Sequence, residues 1–172
     1  RYEKIVSDAK KKIRKAQKEV DDGRKTLKAE KSKAYAEIEK NRSELDKNSS
    51  RIESGRKKLE TSRAELEKNR KQLREGISSA EKQLEAAKES GMATEEEIQA
   101  AEAQITSMKA SLDKVNAGLA GISKRESELR TSEKRIKSGY SELKRGKAEA
   151  ESRFAKAENE LEVGEKKIAK AE

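Results

Sequence analysis

The sequence predicts an all-α protein: a long antiparallel two-helix coiled-coil hairpin that turns near residues 90–94. Three observations predict it. Apolar residues recur at every seventh position over most of the chain, and a sustained period of seven marks paired, supercoiled helices. The composition is 45% charged and 31% apolar, too poor in apolar side chains for a thick globular core but enough for a narrow helix–helix seam. Proline is absent and the commonest residues are mostly good helix formers, so the low hydrophobicity reads as coiled coil rather than disorder.

The first arm covers residues 1–89. Its apolar series runs Val6, Ile13, Val20, Leu27, then Ile38, Leu45, Ile52, Leu59, Leu66, Leu73 and Ala80. The step of eleven from Leu27 to Ile38 is a heptad plus four, a stutter that locally unwinds a supercoil. Three residues after many of the large side chains comes a small or polar one, as in Val20/Gly23, Ile52/Gly55, Leu66/Asn69, Leu73/Gly76, Ile136/Gly139 and Leu161/Gly164. A glycine inside a helix costs about 1 kcal/mol relative to alanine, so something must offset it. Either the two backbones approach closely there and a partner side chain fills the gap, or the glycines make the arm bendable. Asn41, Asn48 and Asn69 lie near the seam, where a buried Asn fixes register. Tyr35, Tyr140 and Phe154 are expected as core fillers or seam-edge contacts.

Residues 90–94 read as stop and restart. Gly91 suits the left-handed position after a helix end. Thr94 with Glu97 forms a capping box, and Glu95, Glu96 and Glu97 favour a helix N-terminus electrostatically. The second arm, residues 95–172, carries Ile98, Ile105, Leu112 and Leu119, overlapping Ile122, Leu129, Ile136 and Leu143, with Leu161 and Ile168 closing the series. The stretch Asn116 to Gly121 is its weakest helical part and a candidate break or bend.

An internal repeat supports the hairpin independently. Ser43-Glu44-Leu45, Arg51-Ile52, Ser54-Gly55 and Leu59 reappear 84 residues later as Ser127-Glu128-Leu129, Arg135-Ile136, Ser138-Gly139 and Leu143. Laid antiparallel about the turn, such segments set each small residue against a large one. Val20/Gly23/Leu27 then faces Leu161/Gly164/Ile168. Two arms of this length at the helical rise give a rod of roughly 120–130 Å.

The formal charge is +9, and all of it lies in residues 1–89, with 27 Lys/Arg against 18 Asp/Glu. Residues 1–33 alone carry 13 against 6. Lys10, Lys11, Lys12, Arg14, Lys15 and Lys18 form a candidate basic patch at the base of the arm, suited to nucleic acid, anionic headgroups or anionic wall polymers. The plain reading of the same residues is a solvated coiled-coil face. Gly91, Met92 and Ala93 are the candidate partner contact at the tip, against the plain reading of an ordinary turn.

Without His or Cys, the usual general base and thiol nucleophile are missing. No nucleotide-binding fingerprint or metal-ligand spacing occurs, and a two-stranded rod is expected to lack a pocket. No enzyme activity, catalytic residue, metal or cofactor is therefore expected. No apolar run approaches the ~20 residues of a membrane span. The chain opens at Arg1 rather than Met and reads as a piece of something larger.

The glycine-punctuated segments Arg51-Ile-Glu-Ser-Gly-Arg-Lys-Lys-Leu59, Arg135-Ile-Lys-Ser-Gly-Tyr-Ser-Glu-Leu143 and Leu161-Glu-Val-Gly-Glu-Lys-Lys-Ile168 resemble the coiled-coil insertions of Gram-positive FtsX-like ABC transporter permeases. Coils of YhgE/Pip-type membrane proteins are similar. The permease resemblance implies an extracytoplasmic arm of a cell-membrane protein, energised by a separate ATPase subunit and transmitting motion to a protein partner at the tip or along the rod. Two further readings stand beside it: a cytoplasmic scaffold or chromosome-organising arm, and a nucleic-acid-binding rod, the weaker because stacking aromatics are few. The broad apolar stripes around Leu119 to Leu143 also allow a homodimer of hairpins.

Overall fold

The structure, a computed structural model, describes residues 2–171. It is an all-α helical hairpin of α1 (Tyr2–Ser90) and α2 (Glu95–Ala169), joined by Gly91 to Thr94. Ser90, which the sequence reading places in the turn, closes α1 instead. No strand occurs among the described residues.

The turn follows from its residues. Gly91 takes φ +63°, a left-handed conformation that costs an L-residue with a Cβ about 1 kcal/mol or more. Its N–H reaches the Lys88 carbonyl at 3.3 Å, and the Ser90 hydroxyl donates to the Ala87 carbonyl at 2.9 Å, so the last carbonyls of α1 find donors. At the start of α2 the capping box closes in both directions. The Glu97 N–H donates to Thr94 Oγ1 at 3.2 Å, and the Thr94 N–H to Glu97 Oε2 at 2.8 Å.

The helices fall into two compact units. One comprises Arg1–Asn48 with Ile136–Glu172. Its core is Val20, Leu27, Phe154 and Ile168, with Phe154 only 2% exposed. Small residues on one helix receive large ones from the other. A Cβ built on Gly23 would meet Leu161 Cδ2 at 2.8 Å, one on Gly139 would meet Leu45 Cδ2 at 2.8 Å, and one on Gly164 would meet Val20 Cγ2 at 3.3 Å. Between Gly23 and Leu45 α1 advances 22 residues, while between Leu161 and Gly139 α2 retreats 22, so the antiparallel register holds across the stutter. Phe154 fills the gap that the stutter leaves between Leu27 and Ile38. Its ring tilts at 51° to that of Tyr35 with centroids 6.1 Å apart, a favourable aromatic geometry, and Lys31 and Arg153 lie over its faces.

The other unit is Ser49–Arg135. Ile77, Ile105, Leu119 and Ile122 are its buried residues. Again large meets small: Gly76 lies under Met108 Cε, Gly118 under Leu66, and Gly55 against Leu129. From Gly55 to Leu66 α1 gains 11 residues, and from Leu129 to Gly118 α2 loses 11, so this unit too keeps one register.

Three sequence expectations are corrected. Asn41, Asn48 and Asn69 are all exposed, and no polar side chain is buried among the described residues. Register is therefore set by the glycine–large pairs and not by a buried amide. The stretch Asn116 to Gly121 is unbroken helix: Gly118 receives Leu66, and the buried Leu119 and Ile122 pin it on either side of Gly121. Grooves also exist where none was expected, because a seam of glycine and alanine leaves space that neither helix fills. One of these is described below.

Close packing and a merely permissive glycine predict different responses to added methyl groups. Gly146 meets nothing within 4 Å, so Gly146→Ala is expected to stabilise the chain by about 1 kcal/mol through helix propensity alone. Gly139→Ala brings the same propensity gain but drives a Cβ into Leu45, and is expected to lose most of that gain or reverse it. Urea unfolding of both variants followed by circular dichroism checks this, and equal stabilisation at both sites would refute the packing role. By the same measurement Thr94→Ala is expected to cost about 1 kcal/mol by opening the capping box.

Candidate functional site

The candidate sites are surfaces, and helix pairing decides which parts of each arm stay open. Inter-helix ion pairs line the seam. In the first unit Arg24 pairs with Glu165 at 2.5 Å and Lys31 pairs with Glu158. In the second, Arg56 pairs with Glu133 at 3.0 Å, Lys109 with Glu81 at 2.7 Å and Lys88 with Glu102 at 2.6 Å. Arg63 makes a two-pronged contact, Nε to Glu126 Oε1 at 3.0 Å and Nη2 to Oε2 at 2.7 Å, and also donates to Ser123 Oγ at 3.0 Å. Single solvent-exposed pairs contribute about 0–1 kcal/mol each. Their larger effect is to commit seam-flanking charges to α1–α2 contacts.

The planar fork of Arg63 has a chemical consequence. The hydrogen bonds it donates hold the Glu126 carboxyl below the ordinary carboxylate range, against a partial opposing effect of burial. Glu162 is likewise held low by the hydrogen bond from Lys166. Tyr140 moves the other way. Its hydroxyl donates to Asp46, and that bond, with burial and the carboxylate charge behind it, pushes the phenol above its ordinary value.

An open groove crosses the first unit. Its floor is Ile38, Leu45, Leu143, Gly139 and Gly146, and the charged residues lining it are Glu37, Glu44 and Glu142. Among the described residues no group of three or more His, Cys, Asp or Glu is placed to hold a metal ion.

At the tip, Met92 is 84% exposed, Gly91 is exposed and Ala93 is half-buried. The tip contact named from the sequence thus reduces to one free thioether side chain on a rigidly capped turn. Near the start of α1, Lys10, Lys11, Lys12, Arg14, Lys15 and Lys18 are all exposed. Among the described residues only Lys15 of these six forms an ion pair, a 3.9 Å contact with Glu19 one turn on. The six cations thus lie within consecutive turns of α1 and face solvent. Sequence reasoning overlooked an apolar stripe beside them. Tyr2 is 82% exposed, Ile5 63% and Val6 38%. The signal was present as Tyr2, Ile5, Val6, Ala9 and Ile13 at helical spacing, but the period-seven series kept only Val6 and Ile13.

Both carboxyls are lowered in the folded state, so their contribution to stability is complete above the ordinary carboxylate range and is lost as pH falls through their depressed values. Arg63→Ala is expected to return the Glu126 titration, followed by carboxyl carbon NMR, towards the ordinary value and to flatten that acid limb. The raised Tyr140 phenol contributes below its ordinary value, and the contribution disappears as pH rises through the folded one. Tyr140→Phe is expected to remove that alkaline dependence from the unfolding free energy.

No protein-family model, curated protein or solved structure matches the chain.

Proposed function

We propose that this chain is a non-catalytic coiled-coil stalk on the extracytoplasmic side of an FtsX-like ABC transporter permease, passing motion made at the membrane to a protein partner outside. The observation that carries the reading is the pairing of the two ends. In the first unit the start of α1 and the end of α2 share one cluster, with Lys12, Ile13 and Val20 beside Gly164, Ile168 and Ala171. An arm inserted between membrane segments needs its two ends together at the base, and this pairing supplies that. Within each unit, the large-into-glycine contacts resist sliding of one helix past the other. Displacement of α1 along its axis is therefore passed to α2.

The connection between α1 and α2 is four residues with a closed capping box. That favours a tip that presents Met92 over a hinge carrying a further domain, and so favours the stalk over a chromosome-organising arm. Among the described residues no helix is long and apolar enough to cross a membrane. In this reading the membrane segments and the ATPase belong to the parent protein.

Sidedness tests the proposal. Met92 is 84% exposed and the chain has no cysteine. Met92→Cys, in the full-length parent freed of any other cysteine, is expected to react with a membrane-impermeant maleimide on intact cells. Labelling only after lysis would overturn the stalk reading and make a cytoplasmic scaffold the better one.

A further inference from the structure

We propose that the groove in the first unit is the docking site for a basic amphipathic helix of a partner protein, which lays a large apolar side chain over Gly146 and sets lysines or arginines against Glu37, Glu44 and Glu142. A gap in the packing rule of the seam prompts this. One register sets Leu161 on Gly23, Leu45 on Gly139 and Val20 on Gly164, and in each pair the large side chain comes within 3.3 Å of the missing Cβ. The same register brings Ile38 level with Gly146, yet no side chain of α1 comes within 4 Å of the Cβ position there. A glycine inside a helix weakens it, and at Gly146 nothing in the unit fills the space it leaves.

The surroundings of that recess suit a helix. Ile38, Leu45 and Leu143 are only half-buried, so each keeps apolar surface open along the groove. From Ala34 to Asn48 the α1 wall runs about 21 Å at the helical rise, close to four turns. Glu37 and Glu44 stand one heptad apart on that wall and Glu142 stands on the other, all exposed. No lysine or arginine lines the groove, and among the described residues none of the three carboxylates forms an ion pair. Elsewhere in the unit such charges find a partner across the seam, Glu158 with Lys31 and Glu165 with Arg24. In a chain of net charge +9 the groove is thus a locally acidic face.

Charge selects the occupant. The three carboxylates repel nucleic acid and anionic headgroups. A second copy packed groove to groove sets like charges together and is repelled as well. A helix with leucine-sized residues on one face and lysine or arginine on its flanks fills the recess and meets the carboxylates at once, as a further strand added to a coiled coil. In placing a partner along the stalk the inference rests on that reading. The peptide experiment tests the groove and the maleimide experiment tests the side, so each can fail alone.

The probe is a synthetic peptide with a heptad stripe of leucine flanked by lysine, compared with a twin carrying glutamate on the flanks. Each is titrated with the 172-residue chain and followed by fluorescence anisotropy. The lysine peptide is expected to bind saturably, one per chain, and the glutamate peptide not to bind. Glu37→Gln with Glu44→Gln is expected to weaken the lysine peptide about five-fold, two surface ion pairs at about two- to three-fold each. Gly146→Ala is expected to weaken it about ten-fold by filling the recess. The same variant makes the free chain more resistant to urea, so that loss is not a loss of fold. Gly121→Ala, at an equally open glycine outside the groove, should leave binding unchanged. Equal binding of the two peptides, no saturable binding, or an affinity that Gly146→Ala leaves unchanged would overturn the docking site. So would dimerisation of the chain in sedimentation velocity that Gly146→Ala abolishes, which would assign the groove to a second copy.

Discussion

The structure depends on a steric complementarity that costs something locally: glycine placed in the middle of long helices so that a leucine, valine or methionine of the opposite helix can occupy the missing Cβ. In isolation each such glycine weakens its helix. Across the seam it becomes the recess that fixes register, because at Gly23, Gly76 and Gly139 an added Cβ would fall 2.7–2.8 Å from the incoming side chain. A chain with 31% apolar residues cannot rely on core volume. It relies on interlocking a few large side chains per unit, and the flanking ion pairs follow from that alignment.

The stutter illustrates how one irregularity is absorbed. An eleven-residue step displaces the seam around α1, and a helix pair that ignored it would bury lysine and expose leucine. Here the single phenylalanine of the chain takes the vacated volume, with Tyr35 against its ring and Lys31 over its face. The lysine stem contributes apolar cover while its ammonium pairs with Glu158. Aromatic area thus compensates for a missing aliphatic layer, and the register on either side of it is preserved.

Function in such a molecule belongs to what pairing leaves uncovered. Along the seam, cross-helix partners take up much of the flanking charge: Arg24, Arg56, Arg63, Lys88 and Lys109 all reach a glutamate on the other helix. The turn presents the opposite case, a rigid cap with one exposed methionine. Within each unit the interlocked seam resists sliding of one helix past the other.

The heptads, the capping box and the glycine–large alternation are written in the sequence, since each depends on residues a few positions apart. They were enough to determine the all-α hairpin, the turn and the facing of the segment Val20/Gly23/Leu27 with Leu161/Gly164/Ile168, but the midpoint of 94 that they suggested for those segments is 92 in the structure, where Val20 meets Gly164 and Gly23 meets Leu161. They were not enough to tell close packing from flexibility at a glycine, because that depends on which atom of a distant residue arrives there. Gly139 receives Leu45, whereas Gly146, one heptad on, meets nothing. Nor did they show that the asparagines face water or that Arg63 grips Glu126. Those outcomes were decided by tertiary structure. Local spacing determines which face of a helix is apolar, but only the register between two helices determines how far that face is covered.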